Sequence, residues 1–134
     1  MTSYEFEHSV EAPVSAAAVW ALYSDISQWT SWDQGLSEVT LDGPFEAGVS
    51  GKMTIPGQPA IDFTLTSVDP GREFTDETLF NGAVLRFRHV IEPVPGGVRV
   101  THRVEITGPG AREMGPMVTS DVPEAMEALV ALAS

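Results

Sequence analysis

Three histidines and one aspartate stand where alternating strands would turn them to the same side. His8 is in phase with Tyr4, Phe6 and Val10, His89 with Leu85, Phe87 and Ile91, and His102 with Val98, Val100, Val104 and Ile106. Side chains two apart share a face of a strand, so with the apolar phases inward all three imidazoles point inward. Such an imidazole is either a hydrogen-bonded core group or a proton acceptor in a pocket. Each of three on one face needs a polar partner, which a dry core does not supply. Asp76 shares a phase with Phe74, Thr78 and Phe80; the opposite phase would bury Glu73 and Glu77. Turns then set the register. With Pro95-Gly96 at the centre of its turn, His89 lies opposite His102. With Asn81-Gly82 as a hairpin turn, Phe74 lies opposite His89 and Asp76 one step diagonal to it. A carboxylate there would orient the imidazole and raise its basicity, with His89 as general base. The competing reading leaves Asp76 wet at the mouth of a cavity. Three imidazoles could in principle ligate zinc, but no acidic second shell stands at fixed spacing. Neither a metal nor another cofactor is expected.

The elements that must position these groups are legible in order. Tyr4–Glu11 alternates as a strand, Ala12-Pro13 ends it, and Ser15 can cap a helix over Ala16–Ser24, with a short helical stretch over Asp25–Trp32. Six further strands follow, within Ser37–Leu41, Val49–Ile55, Ile61–Thr66, Glu73–Phe80, Leu85–Ile91 and Val98–Ile106, joined by Gly, Pro and Asn turns. Short turns imply an antiparallel meander. A final helix over about Ala111–Ala133 carries Met114, Met117, Val118, Val122, Ala125, Leu129 and Leu132 on one side. Pro123 either kinks this helix or begins a new one capped by Asp121; otherwise Asp121 lines the pocket beside the histidines. Trp20 would pack its helix on the sheet. Trp29 and Trp32 would close the following loop, with Trp32 alternatively a roof. One helix covers a wide sheet incompletely, so the gap is either filled by side chains or left hollow.

Composition narrows the function. The 134 residues suit a single domain over 1–134, with 7 Lys plus Arg against 19 Asp plus Glu and a net charge of −12. Such a surface repels nucleic acid and anionic membranes. There is no cysteine, and no Gly-x-Ser-x-Gly, Gly-x-x-x-x-Gly-Lys or Gly-x-Gly-x-x-Gly motif. No stretch has the apolar length of a membrane span, and the N-terminus lacks a basic region followed by an apolar run. A soluble cytoplasmic protein is expected, without membrane insertion, and an exposed edge strand would allow a homodimer.

Ala12-Pro13, Val19-Trp20, Asp25, Trp29 and Trp32 resemble the opening of the START-like, birch-pollen-allergen-like (SRPBCC) superfamily. Leu41-Asp42-Gly43-Pro44-Phe45 with Gly48, Val68-Asp69-Pro70-Gly71-Arg72 and Gly97-Val98-Arg99-Val100-Thr101 are similar to its polyketide cyclase/dehydrase branch. The resemblance implies an α+β helix-grip fold. In it, a seven-stranded curved antiparallel sheet wraps a long C-terminal helix, with two short helices between the first two strands. The family's strand order would place His8 beside His102. The fold does not fix the function, and three readings follow. In the first, the cavity binds a small hydrophobic molecule, aromatic or polyketide-like. Phe6, Met53, Phe63, Phe74, Phe87, Met114 and Met117 supply apolar walls, and His8, His102 and Asp121 supply polar contacts. In the second, a polyketide cyclase or dehydratase uses His89 as base, oriented by Asp76. In the third, the core is filled and the acidic surface is an interaction module.

Overall fold

Polar–apolar alternation gives the sheet one wet face and one dry face, and the pairing of strands follows from it. The computed structural model describes residues 3–134. In chain order the elements are β1 (Ser3–Ala12), α1 (Ala16–Ser24), a 3-10 turn (Ile26–Gln28), α2 (Trp29–Trp32), β2 (Glu38–Leu41), β3 (Ser50–Thr54), β4 (Ile61–Asp69), β5 (Glu73–Phe80), β6 (Ala83–Val94), β7 (Gly97–Thr107), α3 (Ala111–Thr119) and α4 (Val122–Ala133). The strands form one antiparallel sheet in the order β1-β7-β6-β5-β4-β3-β2. This is the helix-grip arrangement expected above. Ser15 caps α1, its hydroxyl accepting the Ala18 N–H at 3.1 Å. Among the described residues no helix is long and apolar enough to cross a membrane.

The outer face is a ladder of ion pairs: Arg99 with Glu11 at 2.8 Å, Arg86 with Glu77 at 2.9 Å, Arg88 with Glu73 at 2.7 Å, Lys52 with Asp62 at 2.6 Å and Arg103 with Glu5 at 2.9 Å. Exposed pairs of this kind contribute little to stability. Their larger effect is on register, since a one-residue slip would send every one of these charges to the dry face.

On the inner face most of the gap is filled. Tyr23, Trp29, Trp32, Phe63 and Phe74 are buried together with Val19, Leu65, Met126 and Leu129. Trp29 stacks on Phe74 and tilts against Phe63, ring centroids 5.7 Å away in both cases. A smaller cluster joins Ala83, Leu85, Val104, Ile106 and Ala111, with Tyr4, Phe6 and Met114 packed against it. Gly51 lets β2 close on β3. A Cβ there would overlap the Thr40 carbonyl oxygen and come within 2.9 Å of the Phe63 ring. Gly51→Ala should therefore cost about 1–3 kcal/mol by overpacking, read as a lowered thermal midpoint in circular dichroism.

The C-terminal helix is broken in two. Pro123 lies in the first turn of α4, and Asp121 occupies the N-cap position, but its side chain makes no capping hydrogen bond. The single apolar stripe expected over this region is corrected accordingly. In α3 the inward ridge is Ala111, Gly115 and Thr119. Small residues are needed there because the Tyr4 ring lies against Gly115 and the Tyr4 hydroxyl meets Thr119 Oγ1 at 3.2 Å. Met117, two residues past Gly115, is thereby rotated outward and is 76% exposed. Leu132 is exposed as well.

The β4–β5 ladder ends at Thr64–Glu77. Beyond it β4 continues along β3 and β5 along β6, and the two strands part. The parting leaves an open cleft of about 800 Å3 whose border includes Ile61, Phe63, Thr78, Leu79 and Phe80. Phe80, placed inward by its phase, is partly exposed at this border, and Thr78 Oγ1 is buried without a partner among the described residues.

Candidate functional site

The turns at Asn81-Gly82 and Pro95-Gly96 deliver the histidines to one row. His102 on β7 is opposite both His8 on β1 and His89 on β6, and His89 is opposite Phe74 on β5. The His89 ring lies flat on Phe74, centroids 4.0 Å apart at 5°, and meets His102 nearly edge-on at 4.6 Å. A carbonyl only accepts, so His89 Nδ1–H donates to the Phe74 carbonyl at 3.3 Å. In the neutral ring this leaves Nε2 as a lone-pair acceptor with no protein partner among the described residues. Burial lowers the His89 pKa to about 4, against a weaker opposing effect of the Phe74 bond. His102 Nε2 and the Tyr23 hydroxyl are hydrogen-bonded at 2.7 Å. Burial, then the neighbouring His89 and His8, push the His102 pKa well below its ordinary value, while burial raises that of Tyr23. Both histidines are therefore neutral at pH 7.

Asp76, opposite Phe87, is 3% exposed. No protein group hydrogen-bonds its carboxyl among the described residues. Burial foremost, then the charges of Asp33 and Glu77, raise its pKa to about 8, so it holds its proton at neutral pH. Asp33 follows α2 and accepts the Gly35 N–H at 3.1 Å. Burial and the charge of Asp121 raise its pKa to about 6, the Gly35 bond acting the other way. Asp121 approaches from the α3–α4 break. A Cβ on Gly35 would sit 2.6 Å from Asp121 Oδ2 and 3.3 Å from Asp33 Oδ1, so the two carboxylates flank one point.

These groups share a chamber of about 110 Å3, partly open to solvent. Its polar lining includes Asp33, Asp76, His89, His102 and Asp121; its apolar lining includes Trp29, Trp32, Met53, Phe87 and Ala125. The cleft at the sheet border is larger, but the carboxylates on its border, Asp62 and Glu77, are already paired with Lys52 and Arg86. The buried titratable groups Asp76, His89 and His102 therefore gather at the smaller space.

The structure thus brings His89, His102, Asp76, Asp121, Met53 and Phe87 to one chamber. It places Phe63 and Phe74 in the aromatic core and Phe6 and Met114 in the smaller cluster, outside the chamber lining, with Phe63 also on the border of the open cleft. His8 is half-buried on β1, outside the chamber wall. Met117 is on the outer surface. Asp76 does not orient His89; the Phe74 carbonyl, directly across the ladder, does so in its place. Asp33 and Tyr23 were not anticipated. Asp33 stands in the turn Trp32-Asp33-Gln34-Gly35, where an aspartate accepting the N–H two residues on is the local signal.

The family model described as polyketide cyclase / dehydrase and lipid transport matches residues 3–134. No curated protein matches significantly. Among solved structures, Ara h 8.0201 superimposes with a TM-score of 0.78 at 14% identity, covering 98% of each chain. Truncated norcoclaurine synthase from Thalictrum flavum gives 0.77 at 16%, covering 98% of this chain and 93% of that one. Protein MLL2253 from Mesorhizobium loti gives 0.79 at 14%, covering 96% of each. At these identities the likeness shows the fold.

Proposed function

Because this chain belongs to the polyketide cyclase, dehydrase and lipid transport family, we propose that its chamber binds a small, largely apolar molecule and holds that molecule's polar end against His89 and Asp76. The observation that carries this reading is the open space itself. Two buried polar side chains lacking protein partners at Nε2 and at the carboxyl face a cavity with apolar walls. At about 110 Å3 the chamber is below the roughly 300–1,000 Å3 of a drug-sized pocket. It is nearer the about 150 Å3 that admits a benzene ring. A ligand of about one ring matches that scale; a multi-ring polyketide would have to extend through the open side.

A second reading, ring closure or loss of water, is favoured by the opposed titrations of the same two residues. His89 is neutral with a free acceptor nitrogen, and Asp76 is protonated. Environments that separate two pKa values in this way equip one group as base and the other as acid. Asp76 would donate to a carbonyl or departing hydroxyl, and His89 would accept a proton from carbon.

Ala125 lines the chamber near the start of α4, so Ala125→Phe fills it. Saturation-transfer NMR with benzyl alcohol should show saturable binding to the wild type, weakened at least tenfold in the filled variant. Equal binding to both proteins would overturn the chamber as the ligand site.

A further inference from the structure

Apart from the protonated Asp76, the free polar atoms of the chamber accept hydrogen bonds. His89 Nε2 is an acceptor, because Nδ1–H is taken up by the Phe74 carbonyl. The carboxylates of Asp33 and Asp121 accept as well. The indole N–H groups of Trp29 and Trp32 are bonded to the main-chain carbonyls of Tyr23 and Leu22. Among the described residues no positive charge faces the chamber either. Arg88 and Arg103 border the chamber through their strands, yet their guanidinium groups turn to the outer face, to Glu73 and Glu5. A partly buried carboxylate with no counter-charge and a single backbone donor is costly, and the raised pKa of Asp33 is the sign of that cost. The 91% buried His89 adds a neutral acceptor at Nε2, independent of the two carboxylates.

We propose, resting on the chamber as the ligand site, that its ligand is a small organic cation: a primary ammonium group carried on an apolar body of about one ring. The ammonium sits between Asp33 and Asp121, with His89 Nε2 as a further acceptor for its three N–H donors. The aromatic walls Trp29, Trp32 and Phe87 favour a cation over a neutral group. A net charge of −12 raises the local concentration of cations around the molecule. Among the described residues no three His, Cys, Asp or Glu side chains are grouped to hold a metal ion, which directs the choice to an organic cation.

The test compares benzylamine, protonated at pH 7.5, with benzyl alcohol, its neutral near-isostere, by isothermal titration calorimetry. The wild type should bind the amine at least tenfold more tightly than the alcohol. That preference should largely survive 0.5 M salt, because buried pairs are screened less than surface ones. Asp33→Asn and Asp121→Asn should each reduce the amine-to-alcohol ratio below about threefold, in proteins with wild-type circular dichroism. Equal affinities in the wild type overturn the cation assignment and leave the chamber reading standing. A preference that disappears in salt, or that persists in both Asn variants, assigns the amine to the acidic surface and overturns the proposal. Failure of both probes to bind overturns the proposal and the chamber reading together.

Discussion

Trp29→Ala should lower stability by about 3–5 kcal/mol, the range for removing a buried tryptophan or phenylalanine. Trp29 is 3% exposed and contacts Phe63, Phe74, Trp32 and Phe45 through its ring. Its Nε1–H also donates to the Tyr23 carbonyl at 2.7 Å, so truncation strands a buried acceptor as well. The surrounding rings sit on three elements and the β2–β3 loop and cannot close the void together. For a chain of this length the loss corresponds to a fall in melting midpoint of more than about 10 °C. Trp29 is also a wall of the chamber, so the variant should accept larger apolar probes than the wild type. A loss below about 1 kcal/mol in urea unfolding would mean that the aromatic cluster is not the core of the fold.

Asp76→Asn should change the direction in which stability responds to pH. An unfolded aspartate gives up its proton near 3.8, whereas folded Asp76 keeps its own to about 8. Between those values the unfolded chain binds fewer protons, so rising pH favours unfolding. His89 and His102 act in the opposite sense. Their folded pKa values lie below 6.5, about 4 for His89, so the stability they contribute is complete above 6.5 and is lost as pH falls below it. Asp33, raised to about 6, is largely ionised by then. Between pH 6.5 and 8 Asp76 is the shifted group that remains. At about 1.4 kcal/mol per pK unit, the wild type should lose about 2 kcal/mol across that window, and the asparagine variant should not. Urea midpoints at pH 6.5, 7.2 and 8 decide it. A wild-type midpoint that stays level or rises would place the Asp76 proton elsewhere.

The registers were legible because turns fix them. Asn81-Gly82 and Pro95-Gly96 are two-residue connections, and with alternating strands on either side they leave one pairing. The observed His89–His102 and Phe74–His89 partners are that pairing. The filling of the inner face was not legible. Phe63 and Phe74 are inward by phase whether they meet a ligand or Trp29, and sequence spacing carries no information about what stands across a gap. Asp33 escaped notice for a related reason. A charged residue in a helix-ending turn is ordinarily solvated, and only the approach of the α3–α4 break makes it face Asp121. Met117 was misplaced because a helical stripe was continued across that break. The chain turns at Ser120-Asp121, and each half keeps its own inward face.

The parting of β4 from β5 makes the sheet two leaves held at a partial spine. From Thr64 to Asp69 the spine is bound by paired residues; from Ile61 to Phe63 and from Thr78 to Phe80 each leaf has one margin free. Main-chain amides on those margins face water and should take up deuterium well before their neighbours within the same strands. The leaf bearing β5, β6, β7 and β1 carries all three histidines. Any opening along those margins would leave the imidazole row within one leaf.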